Sequence, residues 1–105
     1  MSSHTQHNIT AIIYDKRGRV LSIGKNSYVK THPYQKELAC KCGFPDKIFI
    51  HAEIQAILKC KNLVQAYKIF VSRYSIAGKP MNAKPCPICE EAIRLAGIKH
   101  VKYTI

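Results

Sequence analysis

Two short stretches, 35 positions apart, set the hardest condition on how this chain folds. "HAEIQAILKC", residues 51–60, opens with a histidine and, two places on, a glutamate; "KPCPICEEAIRLAG", residues 84–97, opens with Cys86 and Cys89. Both read as helices that bury one face. Ile54, Ile57 and Leu58 fall at i, i+3 and i+4 with Ala56 beside them, and the second stretch stops at Gly97. Ionisable groups at the start of a core helix need a reason. One imidazole and two thiols make three ligands that borderline-soft zinc accepts together, and three protein ligands leave the fourth tetrahedral position open to water, as in catalytic rather than structural centres. Residues three apart in a first helical turn share a face, so Cys86 and Cys89 can converge on one ion. Glu53 then sits beside the metal without binding it.

Electrostatics favours the same placement. A helix start carries partial positive charge and favours thiolate over thiol. Two thiolates cancel the charge of the zinc ion, leaving a formally neutral centre that still lowers the pKa of water towards neutrality. Pro85 suits a chain entering a helix, and Pro87 sits in a first turn, where its missing N–H has no intrahelical partner to lose.

The rest of the chain supplies strands for these helices to pack on. "ITAIIYD" and "RVLSIG" are apolar and β-branched, and Gly18 between them provides the positive φ of a tight hairpin turn. From "KNSYVKTHPYQ" to "CKCGFPDK" no period is evident, and Pro33, Gly43 and Pro45 read as a long irregular connection of the kind that carries function. "YKIFVSRY" reads as a strand, "SIAGKPMNAKP" as a loop and "HVKYTI" as a last strand. The order β-β-α-β-α-β, with helices crossing over between the later strands, predicts an α/β layered fold in a single domain over residues 1–105.

Composition narrows the partners. The chain has 17 Lys+Arg against 6 Asp+Glu, a net charge of +11. That favours anionic partners such as nucleotides, nucleic acid or acidic protein surfaces, although an evenly basic face is the plain alternative. No apolar run approaches the roughly 18 residues of a membrane span. The polar start "MSSHTQHNIT" has no secretory pattern, so a cytoplasmic location is expected, and there five cysteines point to metal or catalysis more than to disulfides.

His51-Ala52-Glu53 followed by Pro85-Cys86-Pro87-Ile88-Cys89 matches the H-x-E…P-C-x-x-C signature of zinc-dependent nucleobase deaminases. The chain resembles a small, phage- or prophage-like member of the cytidine and deoxycytidylate deaminase superfamily, from the hairpin through "VKYTI". The resemblance implies a three-layer α/β/α fold on a mixed sheet of about four strands, with an N-terminal antiparallel hairpin. It implies one catalytic Zn2+ held by His51, Cys86 and Cys89. Glu53 is then the catalytic acid and base, taking a proton from water, delivering it to the ring nitrogen and helping to protonate the departing amine. The Ala52 backbone N–H resembles the family's donor to the base carbonyl, the Lys84 carbonyl its acceptor for the leaving amine, and Asn26 its sugar-contacting asparagine. Relative to fuller members, a helix before the first strand and elements after the last one are missing. Homo-oligomers are therefore expected.

Other residues carry weaker readings. Tyr28, His32 and Tyr74 stand where they can face a pocket and stack on a base, although ordinary packing explains such aromatics too. Cys40 and Cys42 are candidates for a second, structural zinc with His32, and Cys60 reads as core packing. A thiol redox pair at Cys86 and Cys89 leaves His51 and Glu53 unexplained. Three functions follow. The first is hydrolytic deamination of cytosine to uracil in a dCMP- or CMP-like nucleotide, its phosphate met by Lys25, Lys30, His32 or Lys36. The second is deamination of cytosine, or adenine, in single-stranded DNA or RNA. The third is a non-catalytic, zinc-stabilised nucleic-acid-binding module.

Overall fold

The computed structural model describes residues 8–26, 32–43, 51–75 and 77–104. β1 (Asn8–Tyr14) and β2 (Val20–Lys25) form the expected antiparallel hairpin, with Thr10 opposite Lys25 and Ile13 opposite Ser22. Its turn closes because the Asp15 backbone bonds to Arg19 and Gly18, while Gly18 takes the φ of +85° that glycine tolerates. β3 (Lys68–Tyr74) pairs antiparallel with the other edge of β1, Ile13 facing Ile69 and Ile9 facing Arg73. Two strands share the far edge of β3. β5 (His100–Tyr103) runs parallel to it from Lys68 to Val71, and the short β4 (Pro80–Met81) runs antiparallel against Arg73 and Tyr74. The sheet is mixed, as expected, with β4 an additional strand inside the stretch read as a loop. Two residues are too few to show a period of two.

α2 (Ala52–Lys59) lies across β1 and β2, and α3 (Pro87–Ala96) packs beside it. Alternation along the strands turns Ala11, Ile13, Ile69 and Val71 towards these helices, where they meet Ile54, Ile57, Ile88 and Ala92 in one buried core. β2 reaches the helix differently. Gly24 has no side chain because the α2 backbone at Ala52 and Ala56 occupies the space a Cβ would fill, and Ser22 donates its hydroxyl to the Ala56 carbonyl at 2.7 Å. α3 ends as expected at Gly97, in the left-handed conformation, whose N–H bonds to Arg94.

The largest departure from expectation is a helix, α1 (Pro33–Lys41), within the stretch read as irregular. His32 caps it, Nδ1 accepting the Tyr34 N–H at 3.0 Å, and Pro33 occupies the first position, where its ring is compatible with a helix. Its buried stripe is Gln35, Leu38 and Ala39, correctly spaced but led by a polar residue, which hides the apolar period. α1 rests against α3. Lys41 reaches the Glu91 carboxylate at 3.4 Å, and the Cys42 sulfur lies 4.0 Å from the Pro87 carbonyl oxygen. Among the described residues no helix is long and apolar enough to cross a membrane.

Candidate metal centre

α2 and α3 begin side by side. His51 and Cys86 are the residues immediately before them, both extended, and Cys89 follows one turn into α3. Neither His51 nor Cys86 uses its side chain to cap its helix, which leaves imidazole and thiol to turn towards each other. His51 Nδ1 lies 3.1 Å from Cys89 Sγ and 3.5 Å from Cys86 Sγ. All three ligand atoms fall within 4.8 Å of one another, and this is the group of candidate metal ligands found among the described residues. Zinc bonds of about 2.0 Å to nitrogen and about 2.3 Å to sulfur, at tetrahedral angles, give nitrogen–sulfur edges of roughly 3.5 Å. The observed spacings fit that ion. His51, Cys86 and Cys89 are therefore positioned to hold one zinc.

The ionisation of the metal-free cluster reflects this crowding. The Cys86 thiol is held down to about 3, first by the hydrogen bond from Cys89 and then by His51 and the Cys89 backbone N–H. Cys89 is pushed well above the usual thiol range because its proton serves Cys86, and because it is buried. A divalent cation removes that competition by favouring both thiolates at once. The Glu53 carboxyl is raised, chiefly by burial, with its own backbone N–H and the His51 ring opposing. Glu53 is 6% exposed in the first turn of α2, and a buried carboxyl whose ionised form is disfavoured is suited to holding and returning a proton.

Most of the remaining sequence candidates fall among the described residues. Ala52 is the first residue of α2, fully buried, and its N–H belongs to the helix-start donors that lack an intrahelical acceptor. Lys84 is exposed and its N–H donates to Asn82 Oδ1 at 2.9 Å, which fixes the turn that carries its carbonyl. Asn26 follows β2, and its Oδ1 accepts the Ile9 N–H at 3.1 Å, tying the start of β1 to the end of β2. His32 is committed at Nδ1 to capping α1, and Tyr74 is 40% exposed at the end of β3. Tyr28 and Lys30 lie outside the described residues. Cys40 is exposed and Cys42 half-buried, and neither joins His32 in a ligand group among the described residues.

Two participants escaped the sequence. Gln35 of α1 is fully buried, and its Oε1 accepts the His51 backbone N–H at 3.4 Å, tying the ligand's backbone to α1. Outer-shell supports of this kind orient metal ligands. Arg73 shares the helix-facing side of β3 with Ile69 and Val71, and its Nε is buried without a partner among the described residues. A donor in that state is available to an anion or carbonyl. No curated protein matches the chain. The family model for the cytidine and deoxycytidylate deaminase zinc-binding region matches residues 1–105.

Proposed function

Because the chain belongs to the cytidine and deoxycytidylate deaminase zinc-binding family, we propose that it converts a cytosine base to uracil with release of ammonia, on a nucleotide of the CMP or dCMP kind. The observation that carries this reading is the convergence of His51, Cys86 and Cys89 beside the buried carboxyl of Glu53. Zinc, when bound, supplies the electrostatic pull that makes water a nucleophile near neutral pH. The chain supplies the rest. Glu53 takes the proton that water must lose and carries it to the ring nitrogen of the base. As the water oxygen bonds to the ring carbon, Glu53 takes the remaining hydroxyl proton and delivers it to the exocyclic nitrogen, whose bond to that carbon breaks as ammonia leaves. The Ala52 N–H holds the base carbonyl, and the Lys84 carbonyl accepts from the exocyclic amine. Asn26 meets the sugar, and His32 stands near the substrate at the start of α1. The substrate phosphate has Lys25 and Lys36 for neighbours, with Arg73 as a buried donor.

A second reading, deamination of cytosine or adenine within single-stranded DNA or RNA, is favoured by the net charge of +11. A non-catalytic zinc module fits less well, since a structural site fills its fourth position with a protein ligand and has no use for Glu53. Zinc-loaded protein incubated with cytidine, its monophosphates and single-stranded oligonucleotides decides among these. Uracil nucleotides and ammonia support the leading reading. C-to-T or A-to-G changes confined to oligonucleotides move the assignment to the second, and no product from a zinc-replete protein refutes both. The fold also leaves Ile23 and Val101 exposed on its two edge strands, in keeping with a homo-oligomer. A monomer by light scattering removes that part.

A further inference from the structure

At the end of the sheet away from His51, three connections meet around a cleft of about 540 Å3. The β1–β2 turn contributes Lys16, Arg17 and Arg19, the turn after α3 contributes Lys99, and the segment leading into β3 contributes Val64 and Tyr67. β1 separates this cleft from the metal end. Seven residues of strand span roughly 20 Å.

The charge of the cleft is one-sided. Its carboxylate, Asp15, is 7% exposed and fully engaged by the N–H groups of Arg17 and Arg19 and by Arg19 Nε, each at 2.9 Å. Asp15 therefore neutralises Arg19 and closes the turn. Lys16, Arg17 and Lys99 are exposed and make no ion pair among the described residues. Like charges brought together from separate elements repel one another, and a surface that keeps them attracts polyanions. The cleft lies within the range of about 300–1,000 Å3 typical of ligand sites, enough for a sugar-phosphate unit with its base. Its cations come from two exposed turns that border one open cleft, an arrangement suited to more than one phosphate. Apolar and aromatic surface lies beside them. Val64 is fully exposed, and the half-buried Tyr67 ring is supported by His100 at 4.6 Å between centroids. Cations beside a groove with an aromatic platform are how proteins hold unpaired strands without reading sequence, and a run of acidic side chains has no aromatic ring to stack on that platform.

We propose that this cleft is a second, distal binding surface for single-stranded nucleic acid, with Lys16, Arg17 and Lys99 on the phosphodiester backbone and Tyr67 beneath a base. It is independent of which cytosine substrate the metal centre accepts.

The test uses zinc-loaded protein titrated into a fluorescein-labelled oligothymidylate, which carries no cytosine, with anisotropy read over a salt series. The expected result is saturable binding that weakens with salt, with a log–log slope of about −2 for three phosphates on a single strand. Combining Lys16→Glu, Arg17→Glu and Lys99→Glu is expected to weaken binding about tenfold or more and flatten that slope. Melting temperature and turnover of free cytidylate stay unchanged. Any of four results overturns the proposal: no binding at low salt, a triple variant within about twofold of the parent, displacement of the oligonucleotide by saturating cytidylate, or equal displacement by polyglutamate. Should no cytidylate be deaminated at all, the oligothymidylate titration still reads out, so the two assignments fail separately.

Discussion

At the Tyr14 end of the sheet a carboxylate sits among donors, and at the Lys25 end another sits buried beside two sulfurs. Asp15 receives the Arg19 and Arg17 backbone N–H groups and the Arg19 side chain, and its carboxyl is held below the ordinary range, first by the Arg19 N–H. Glu53 lies in the first turn of α2, and burial raises its carboxyl instead. The first arrangement settles charge where the fold wants it. The second keeps an ionisable group where the fold alone has no use for it, and perturbed groups gathered in one place mark chemistry better than any one residue does. The difference teaches where to cut. Removing the Glu53 carboxylate changes function first, and removing the Asp15 carboxylate changes stability alone.

Cys89→Ala breaks the comparison hardest. It removes a ligand from the buried side of the cluster, and elemental analysis of the purified variant is expected to find no stoichiometric zinc, with turnover lost and the melting temperature lowered. Glu53→Gln is the sharper cut. Zinc content stays at one per chain while turnover, followed by ammonia release, falls by about 10²–10⁴. Gln35→Met tests whether the support beneath His51 belongs to the metal end. Zinc affinity in a chelator competition is expected to fall about 10–100-fold, with the fold intact by circular dichroism. Gly24→Ala places a methyl group against the backbone of α2 at Ala52 and Ala56, and denaturant unfolding is expected to show a loss of about 1–3 kcal/mol. Asp15→Asn is the smallest change and tests the Asp15 carboxylate as structural. Because the folded carboxyl is the more acidic, its contribution is present above the unfolded value of about 3.9 and is lost as pH falls through the lower folded value. Thermal melts are expected to separate the variant from the parent at pH 7 and bring them together in acid, with turnover unaffected.

These contrasts bear on what the sequence could reveal. The hairpin was legible because Ala11 and Ile13 alternate with half-buried residues and Gly18 marks the turn, and α2 and α3 because their apolar spacing is regular and Gly97 stops the second. The ligand set was legible because each ligand opens a helix and the signature places both halves in order. α1 was not, since Gln35 leads its buried stripe and Pro33 reads as a break when it is in fact the first helical residue. Gln35 as a support for His51 depends on a contact across 16 positions that no local period encodes. The cationic cleft is invisible for a similar reason. Its residues come from three turns, each of them an ordinary solvated loop when read alone.

The account stands or falls on the coordination of the ion itself. X-ray absorption on the zinc-loaded protein is predicted to show two sulfurs at about 2.3 Å, one imidazole nitrogen at about 2.0 Å and one further light atom from solvent. A shell closed by four protein ligands, or a purified protein that takes up no stoichiometric zinc, contradicts it.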